Sequence, residues 1–195
     1  MTKRTSLPTP IMDGELSLER ALRNRRSVRE FTDEPLSIDE ISQLLWAAQG
    51  ITDPRGYRTA PSAGALYPIE LYVVSEEGLS HYDPQDHSLT LIQEGDLRAE
   101  LCNAALNQEP ISEAPVTFVL TVVYERVEVK YGPARSPRYV HLEAGHAAQN
   151  LLLQAVSLDL GATPIGAFED KRVQSLLGLP SHHEPLYLIP VGRPQ

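Results

Sequence analysis

The segment "PVTFVLTVVY", residues 115–124, limits the possible folds of this chain more than any other stretch. It carries no charge and is rich in β-branched side chains, which is typical of a strand that is buried on both faces. We therefore predict that it forms a buried central strand of a sheet.

Helices that cover such a sheet are also predicted. Residues 138–161 are apolar on most sides and end at Gly161, which predicts a long core helix. A second helix is predicted from Ser37 to Gly50, because Ser37 and Glu40 form a capping-box pattern that precedes an apolar stripe. Shorter helices are predicted in residues 16–26, 97–108 and 171–178.

The remaining strands are separated by polar turns. The sequence predicts a strand at 69–75, a hairpin at 79–92, a short strand or loop at 163–168 and a final strand at 184–194. Because no regular βαβ repeat is visible, we predict an α+β fold with a mostly antiparallel sheet flanked by helices. The length fits a single domain over residues 1–195, with residues 1–15 as an extended arm.

Composition excludes several classes of protein. The formal net charge of −9 argues against nucleic acid as the main partner, since phosphate neutralisation needs a broad basic surface. No apolar run reaches the roughly 20 residues that cross a bilayer, so no membrane partner is expected. Cys102 is the only cysteine, which excludes an internal disulfide and fits a reducing cytoplasm.

Metal binding is not expected either. His141 and His146 are five positions apart on the predicted core helix, so they point about 140° away from each other. His182 and His183 are predicted to lie in a surface loop between Pro180 and Pro185. Solvated or hydrogen-bonded histidines are the favoured interpretation. Nucleotide-binding patterns of the GxGxxG and GxxxxGK[ST] types are absent from the sequence.

Arginines are concentrated in "RNRRSVREF", residues 23–31. Guanidinium groups bind phosphate through bidentate hydrogen bonds, and Ser27 adds a hydroxyl beside Arg25, Arg26 and Arg29. A solvated helix face explains the pattern equally well. Arg193, after the last strand, is either a second phosphate ligand or an ordinary surface charge.

Three other segments contain candidate functional residues. "APSAGALYP", residues 60–68, has small side chains and exposed backbone amides that would admit a flat ligand, although an ordinary connector is the alternative. Gly166 in "TPIGAF" has similar properties. Lys130 and Tyr131 place a potential base beside a phenol, but adjacent residues of these types have no catalytic meaning in most sequences.

Together these stretches resemble one family. "RRSVREF", "LSIDEISQLLWAAQGIT", "APSAGALYPIELYVV", "HYDP", "EAGHAAQNLLLQA", "GATPIGAFED" and "PLYLIPVGRP" are similar, in order and spacing, to the nitroreductase-like flavoproteins. The branch that they resemble most is that of SagB-type dehydrogenases and thiazole/oxazole oxidases. The resemblance covers roughly residues 19–194.

This resemblance implies an FMN-binding protein that forms an intertwined homodimer with FMN at the interface. Arg25, Arg26, Ser27 and Arg29 then correspond to the first FMN segment, with Arg29 at the N1/O2 edge of the flavin. Ile165 and Gly166 correspond to the backbone that faces flavin N5, and Gly192 and Arg193 to a closing phosphate contact. Asn107 or Gln108 corresponds to an amide near the cofactor, and we take Gln108. The loop that the partner subunit lays against the flavin corresponds to Pro61, Ser62, Ala63, Gly64 and Leu66.

The resemblance also implies a reaction. Lys130 would act as the base that removes a ring proton from a peptide-borne thiazoline or oxazoline, while hydride passes to FMN, and Tyr131 would orient the substrate. The first alternative is an NAD(P)H-dependent reductase of nitroaromatics or quinones. The second is a flavin-binding scaffold without catalytic activity.

Overall fold

Seven strands form one antiparallel sheet in the computed structural model, which describes residues 3–195. The strands are β1 (Arg4–Ser6), β2 (Ile69–Ser75), β3 (Gly78–Asp83), β4 (Ser88–Glu94), β5 (Val116–Val122), β6 (Gly161–Ala162) and β7 (Glu184–Gly192). Their order across the sheet is β1-β4-β3-β2-β5-β7-β6. Every residue of β5 is buried between β2 and β7, which confirms the predicted central strand.

Seven α-helices accompany the sheet in the described part of the chain. They are α1 (Leu18–Asn24), α2 (Ile38–Gln49), α3 (Arg98–Ala104), α4 (Pro110–Glu113), α5 (Tyr124–Tyr131), α6 (Ser136–Ser157) and α7 (Asp170–Leu176). The capping box of α2 is confirmed: the Glu40 amide donates to Ser37 Oγ over 3.2 Å, and the Ser37 amide donates to Glu40 Oε2 over 2.7 Å.

Alternate side chains of β5 enter the cores on the two faces of the sheet. Phe118 and Leu120 lie in a core that includes Leu45 of α2 and Leu151 of α6. Val119 lies in the other core, with residues of α3 and α7. The period-2 geometry of a strand therefore explains why the whole of β5 is apolar.

The N-terminal segment crosses one face of the molecule. Its described part forms β1, which pairs with β4, and residues 7–17 form no helix or strand. The Ser42 hydroxyl donates to the Pro8 carbonyl over 2.7 Å, and His87 Nε2 lies 3.0 Å from the same oxygen. The first two residues of the predicted arm lie outside the described residues.

Of the predicted boundaries that differ from the structure, two bear on the candidate site. The strand prediction extended to Tyr124, but β5 ends at Val122 and α5 begins at Tyr124, so Lys130 and Tyr131 lie in the last turn of a helix. Gly161 does not end α6, which finishes at Ser157. Gly161 instead lies in β6, where a Cβ atom would come within 2.7 Å of Val28.

Candidate functional site

The arginine segment, residues 25–29, follows the edge of the sheet. After α1 ends, Ser27 forms a parallel bridge with Ala162 of β6, and the Val28 amide donates to the Ala162 carbonyl over 3.1 Å. The Thr32 amide then donates to the Arg193 carbonyl over 2.9 Å. The fold thus brings the arginine segment together with the end of β7, as the expected phosphate contact requires.

Within residues 3–195, the guanidinium groups of this segment have no acidic partners. No carboxylate within residues 3–195 lies at ion-pair distance from Arg25, Arg26 or Arg29. Arg26 donates to two backbone carbonyls, those of Arg23 (2.9 Å) and Arg25 (2.7 Å). Arg25 is half-buried and Arg29 is exposed, so both are accessible to an anion.

Arg193 has a different environment. Its guanidinium forms ion pairs with Glu34 and, over 3.0 Å, with Glu40, and these hydrogen bonds raise the pKa of Arg193. It would have to leave these carboxylates before it could bind a phosphate. Close packing explains why residue 192 is a glycine, because a Cβ atom there would lie 2.8 Å from Pro115 and 3.0 Å from Phe31.

Ile165 and Gly166 lie further along the same edge. Ile165 and Leu188 exchange backbone hydrogen bonds of 2.8 and 2.9 Å, and Gln108 Nε2 donates to the Ala167 carbonyl over 2.7 Å. Gly166 is exposed, and a Cβ atom there would have no neighbour closer than 3.9 Å. The four residue steps from Gly192 to Leu188 cover roughly 13 Å of strand. An elongated ligand with an anionic end could therefore follow this edge.

A second group of predicted residues surrounds the 60–67 loop. Gly64 has φ +67°, and a Cβ atom there would lie 2.8 Å from Lys130 Nζ and 3.1 Å from the Tyr131 hydroxyl. The Lys–Tyr pair therefore contacts the tip of this loop. Pro61 is exposed, while Ser62, Ala63 and Leu66 are half-buried.

Ser62 organises the loop from within. Its Oγ accepts the Tyr67 amide over 2.9 Å, and its carbonyl accepts the Ala65 amide over 3.1 Å. Ala65 and Tyr67 both have positive φ, 55° and 46°, which is unfavourable for residues with a Cβ atom. Packing from outside must therefore hold the loop in this conformation.

One support is an ion network at the C-terminal end of the loop. Arg126 Nη1 donates to the Tyr67 carbonyl over 2.9 Å, and the same guanidinium is paired with Glu70. His81 Nε2 lies 2.7 Å from the other Glu70 oxygen. Burial raises the pKa of Glu70, but the hydrogen bonds from His81 and Arg126 outweigh it and lower the value to about 2.

Another support is a cluster of buried polar groups beneath the loop. Arg58 stacks on the Tyr67 ring, 4.6 Å from its centroid, and donates to Gln49 Oε1 over 2.8 Å. Glu143 of α6 is 2% exposed, and burial raises its pKa to about 7 although Ser62 and Arg58 oppose the shift. The sequence patterns did not predict a role for Arg58, Gln49 or Glu143. A carboxylate in the middle of a core helix was the available signal.

Lys130 and Tyr131 point towards the loop from α5. Lys130 is exposed, and its Nζ lies 5.6 Å from the centroid of the Tyr131 ring. Tyr131 packs on Tyr139 of α6, with the two ring centroids 4.5 Å apart. No carboxylate in the described part of the chain forms an ion pair with Lys130.

The two groups of residues lie at opposite ends of the sheet. The 60–67 loop leads to Ile69, which pairs with Val122 at one end of β5, whereas Arg193 follows Gly192 beside Val116 at the other end. The length of β5 separates them by roughly 20 Å. Within one chain, the arginine segment and the 60–67 loop therefore do not form a single site.

The histidines differ from expectation at one position. His183 is 8% exposed, and its Nδ1 lies 2.7 Å from the Tyr72 hydroxyl, so the predicted surface loop is wrong for this residue. Residues 3–195 contain no group of three or more His, Cys, Asp or Glu side chains arranged to hold a metal ion. None of the helices in that range has the length and apolarity required to span a membrane.

Comparison with known proteins identifies relatives of the whole chain. The family model described as "Nitroreductase family" matches residues 22–193. A protein of Methanocaldococcus jannaschii described as a nitroreductase is 45% identical over 185 residues, covering 92% of both chains. The crystal structure of a protein described as a nitroreductase from Ralstonia eutropha JMP134 has a TM-score of 0.90 and 31% identity, and covers 98% of this chain and 90% of that one. These findings confirm the predicted nitroreductase-like α+β fold.

Two relatives with more specific names match part of their own length. The trifolitoxin-processing protein TfxB of Rhizobium leguminosarum is 30% identical over 162 residues, which are 74% of this chain and 43% of the relative. The NADPH-flavin oxidoreductase of Vibrio harveyi is 30% identical over 177 residues, which are 87% of this chain and 62% of the relative.

Proposed function

The chain belongs to the nitroreductase family of oxidoreductases, and from this premise we propose that it is an FMN-dependent enzyme of the SagB-type dehydrogenase branch. Its proposed reaction is the oxidation of thiazoline or oxazoline rings in a modified peptide to the aromatic azoles. The observation that carries this proposal is the contact of Lys130 and Tyr131 with Gly64 of the 60–67 loop.

The edge of the sheet fits the chemistry of FMN. Arg25, Arg26 and Arg29 offer guanidinium groups without acidic partners in the described part of the chain, which suits a doubly charged phosphate. Gly166 has open space on its exposed side, which suits the approach of a flat ring to the backbone. When bound, FMN would supply a hydride acceptor. Gln108 would fix the backbone of the Gly166 segment through its bond to Ala167.

The separation of the two residue groups favours a site built by two copies of the chain. We propose a homodimer in which the 60–67 loop of one copy lies against the flavin held by the arginine segment of the other. Lys130 and Tyr131 would accompany the loop, because they contact it within the same chain. The family resemblance and the distance between the groups support this arrangement.

Lys130 has the proposed role of general base. Aromatisation removes two hydrogens from the azoline ring: one leaves as a hydride, and the other leaves as a proton that Lys130 Nζ accepts. Tyr131 would orient the substrate through its hydroxyl, which lies at the loop beside Lys130. The likeness to a protein named for trifolitoxin processing supports a peptide-derived substrate.

Reduction of small acceptors by NAD(P)H is the second candidate. It is favoured by the likeness to the NADPH-flavin oxidoreductase of Vibrio harveyi. The same flavin site would serve, and NAD(P)H would be the electron donor. Lys130 would then have no essential role.

The two candidates are separated by one set of measurements on FMN-reconstituted protein. We expect Lys130→Ala to lower azoline oxidation by at least a hundredfold, the usual contribution of a general base, without loss of bound FMN. Lys171→Ala, at an exposed position of α7, is the matched control and should have no effect. Azoline oxidation that survives in Lys130→Ala would refute the proposed role. Rapid flavin bleaching by NAD(P)H, without azoline turnover, would establish the second candidate.

A further inference from the structure

An aromatic pair holds the end of α5 against α6. The ring of Tyr131, the last residue of α5, packs on the ring of Tyr139, with 4.5 Å between the centroids and 50° between the planes. Aromatic pairs favour centroid separations of this size. Both rings are half-buried and pack against the core that contains Phe118. One side of the Lys–Tyr pair is therefore anchored to a buried part of the fold.

Tyr139 lies on the more firmly held of the two helices. α6 has 22 residues and buries Val140 directly after Tyr139, whereas α5 has eight residues, of which Val127 is the buried one. A helix as short as α5 has little stability of its own, so its position depends on contacts with its neighbours. The turn between the helices is closed by a hydrogen bond of 2.8 Å from Ser136 Oγ to the Gly132 carbonyl. α6 is thus a fixed support to which Tyr139 ties the last turn of α5.

The Tyr131 ring lies in turn beside the Lys130 ammonium group. Lys130 Nζ is 5.6 Å from the ring centroid, within the distance at which an aromatic face attracts a cation. On another side, a Cβ atom at Gly64 would lie 2.8 Å from Nζ and 3.1 Å from the Tyr131 hydroxyl. No carboxylate within residues 3–195 forms an ion pair with Lys130, so its head group rests against the ring and the loop tip.

We propose that Tyr139 is a positioning residue, whose ring fixes the Tyr131 ring and through it the amine of Lys130. This inference rests on the proposed function in taking Lys130 as the base. A lysine side chain is long and flexible, and holding it in one conformation costs entropy, so a base of this type needs a surface that holds its amine. Tyr131 provides this surface only while its own ring has a defined orientation. The contact with Tyr139 defines that orientation.

The small number of lysines makes the arrangement directly observable. Lys3, Lys130 and Lys171 are the only lysines of the chain, so protein labelled with ¹³C-lysine gives one ε-methylene signal for each in an NMR spectrum. Lys130→Arg identifies the Lys130 signal by its loss. In the full chain without flavin, we expect the ring current of Tyr131 to shift the two ε protons of Lys130 upfield. We also expect these protons to have separate shifts, because a held side chain does not average them. Lys171, exposed on α7, should show neither feature.

Variants of α6 identify the group responsible. Tyr139→Leu should abolish both features of the Lys130 signal, and Tyr139→Phe should keep them, because the ring makes the contact. His141→Ala is the matched control, since it removes another aromatic contact between the two helices, that of Tyr124 with His141 at a centroid distance of 6.3 Å. It should loosen the first turn of α5 and leave the Lys130 signal unchanged.

Three results would overturn the inference. They are an unshifted Lys130 signal in the unmodified protein, an unchanged signal in Tyr139→Leu, and an equal loss in His141→Ala, which would indicate general loosening of α5. If Tyr139→Leu does not fold, Tyr139→Met replaces it, because methionine fills irregular space without a ring.

Kinetics on FMN-reconstituted protein connect the position of Lys130 to the reaction. Tyr139→Leu should lower kcat of azoline oxidation about tenfold with little change in KM, and Tyr139→Phe should keep the rate. A rate that is insensitive to Tyr139→Leu would overturn the inference and leave the proposed function standing. The expected Lys130 signals without any azoline oxidation would support the positioning by Tyr139 and refute the proposed function.

Discussion

Glu70, which is half-buried, and Glu143, which is buried, are two carboxylates whose pKa values shift in opposite directions. The pKa of Glu70 falls to about 2, although burial raises it, because His81 and Arg126 bond directly to both oxygens. Burial raises the pKa of Glu143 to about 7, and neither Arg58 nor Arg126, which oppose the shift, lies at ion-pair distance from it. Direct hydrogen bonds to the charged form, rather than depth, decide whether a buried carboxylate stays ionised.

The two carboxylates give the loop two different kinds of support. Glu70 fixes Arg126, whose guanidinium holds the Tyr67 carbonyl at one end of the loop. That support is permanent at neutral pH. Glu143 acts near Ser62, and its charge changes within the physiological range. The C-terminal end of the loop is therefore held by an ion network that stays charged at neutral pH.

The largest effect is expected for Glu70→Gln. Removing one member of a partly buried ion network leaves the other charges uncompensated, and we expect the free energy of unfolding at pH 7 to fall by about 2 kcal/mol. The depressed pKa of Glu70 stabilises the fold above pH 4.5, and this stability is lost as pH falls towards about 2. The difference between the variant and the unmodified protein should therefore shrink in acid.

Urea denaturation at pH 7 and pH 3 measures this change. Glu94→Gln, at an exposed carboxylate in the last residue of β4, is the control and should change the free energy of unfolding by less than about 0.5 kcal/mol. An equal loss in both variants would mean that the network around Glu70 contributes nothing beyond surface charge.

Glu143→Gln is expected to have the opposite sign. A raised pKa means that the folded state binds more protons than the unfolded state between pH 4.5 and about 7, so stability decreases as pH rises through this window. Glutamine removes the charge and should stabilise the protein by about 2 kcal/mol at pH 8.5, but have little effect at pH 5.

Thermal and urea unfolding across this pH range test the sign. Glu125→Gln, at an exposed position of α5, serves as the control. If Glu143→Gln destabilises the protein equally at pH 5 and pH 8.5, the carboxyl is ionised throughout, and the contrast with Glu70 is incorrect.

The sequence predicted the parts of the fold that depend on local patterns. The buried strand around Phe118 follows from a continuous apolar run, and the start of α2 follows from a capping box, both of which are contained within a few residues. α5 was not predicted, because its valines continue the β-branched pattern of β5. A glycine after an apolar run predicts a helix end at Gly161, but its close approach to Val28, distant in sequence, explains the glycine instead.

The candidate site was predictable only in part for the same reason. Short motifs identified the arginine segment, the 60–67 loop and the Lys–Tyr pair through a family resemblance. The contact between Gly64 and Lys130 depends on how the loop, α5 and α6 pack, and no local pattern encodes it. Arg58 and Glu143 are separated widely in sequence, so neither appeared as part of a site. For the same reason, no local pattern predicted that Glu34 and Glu40 pair with Arg193.

The smallest effect tests whether the two supports act on the Lys–Tyr pair through the tip of the loop. Gly64 and Gly56 both have positive φ, +67° and +86°, so alanine at either position should cost about 1 kcal/mol of stability from backbone strain. Only at Gly64 does the new methyl group meet Lys130 and Tyr131, since nothing lies within 4 Å of a Cβ atom at Gly56. Gly64→Ala should therefore lower azoline oxidation about tenfold through displacement of Lys130, a loss typical of a misplaced catalytic group.

Gly56→Ala is the control, which should lose the same stability and keep the rate of azoline oxidation. Equal rates in the two variants would show that the loop tip does not position Lys130, and the contact at Gly64 would then be packing alone.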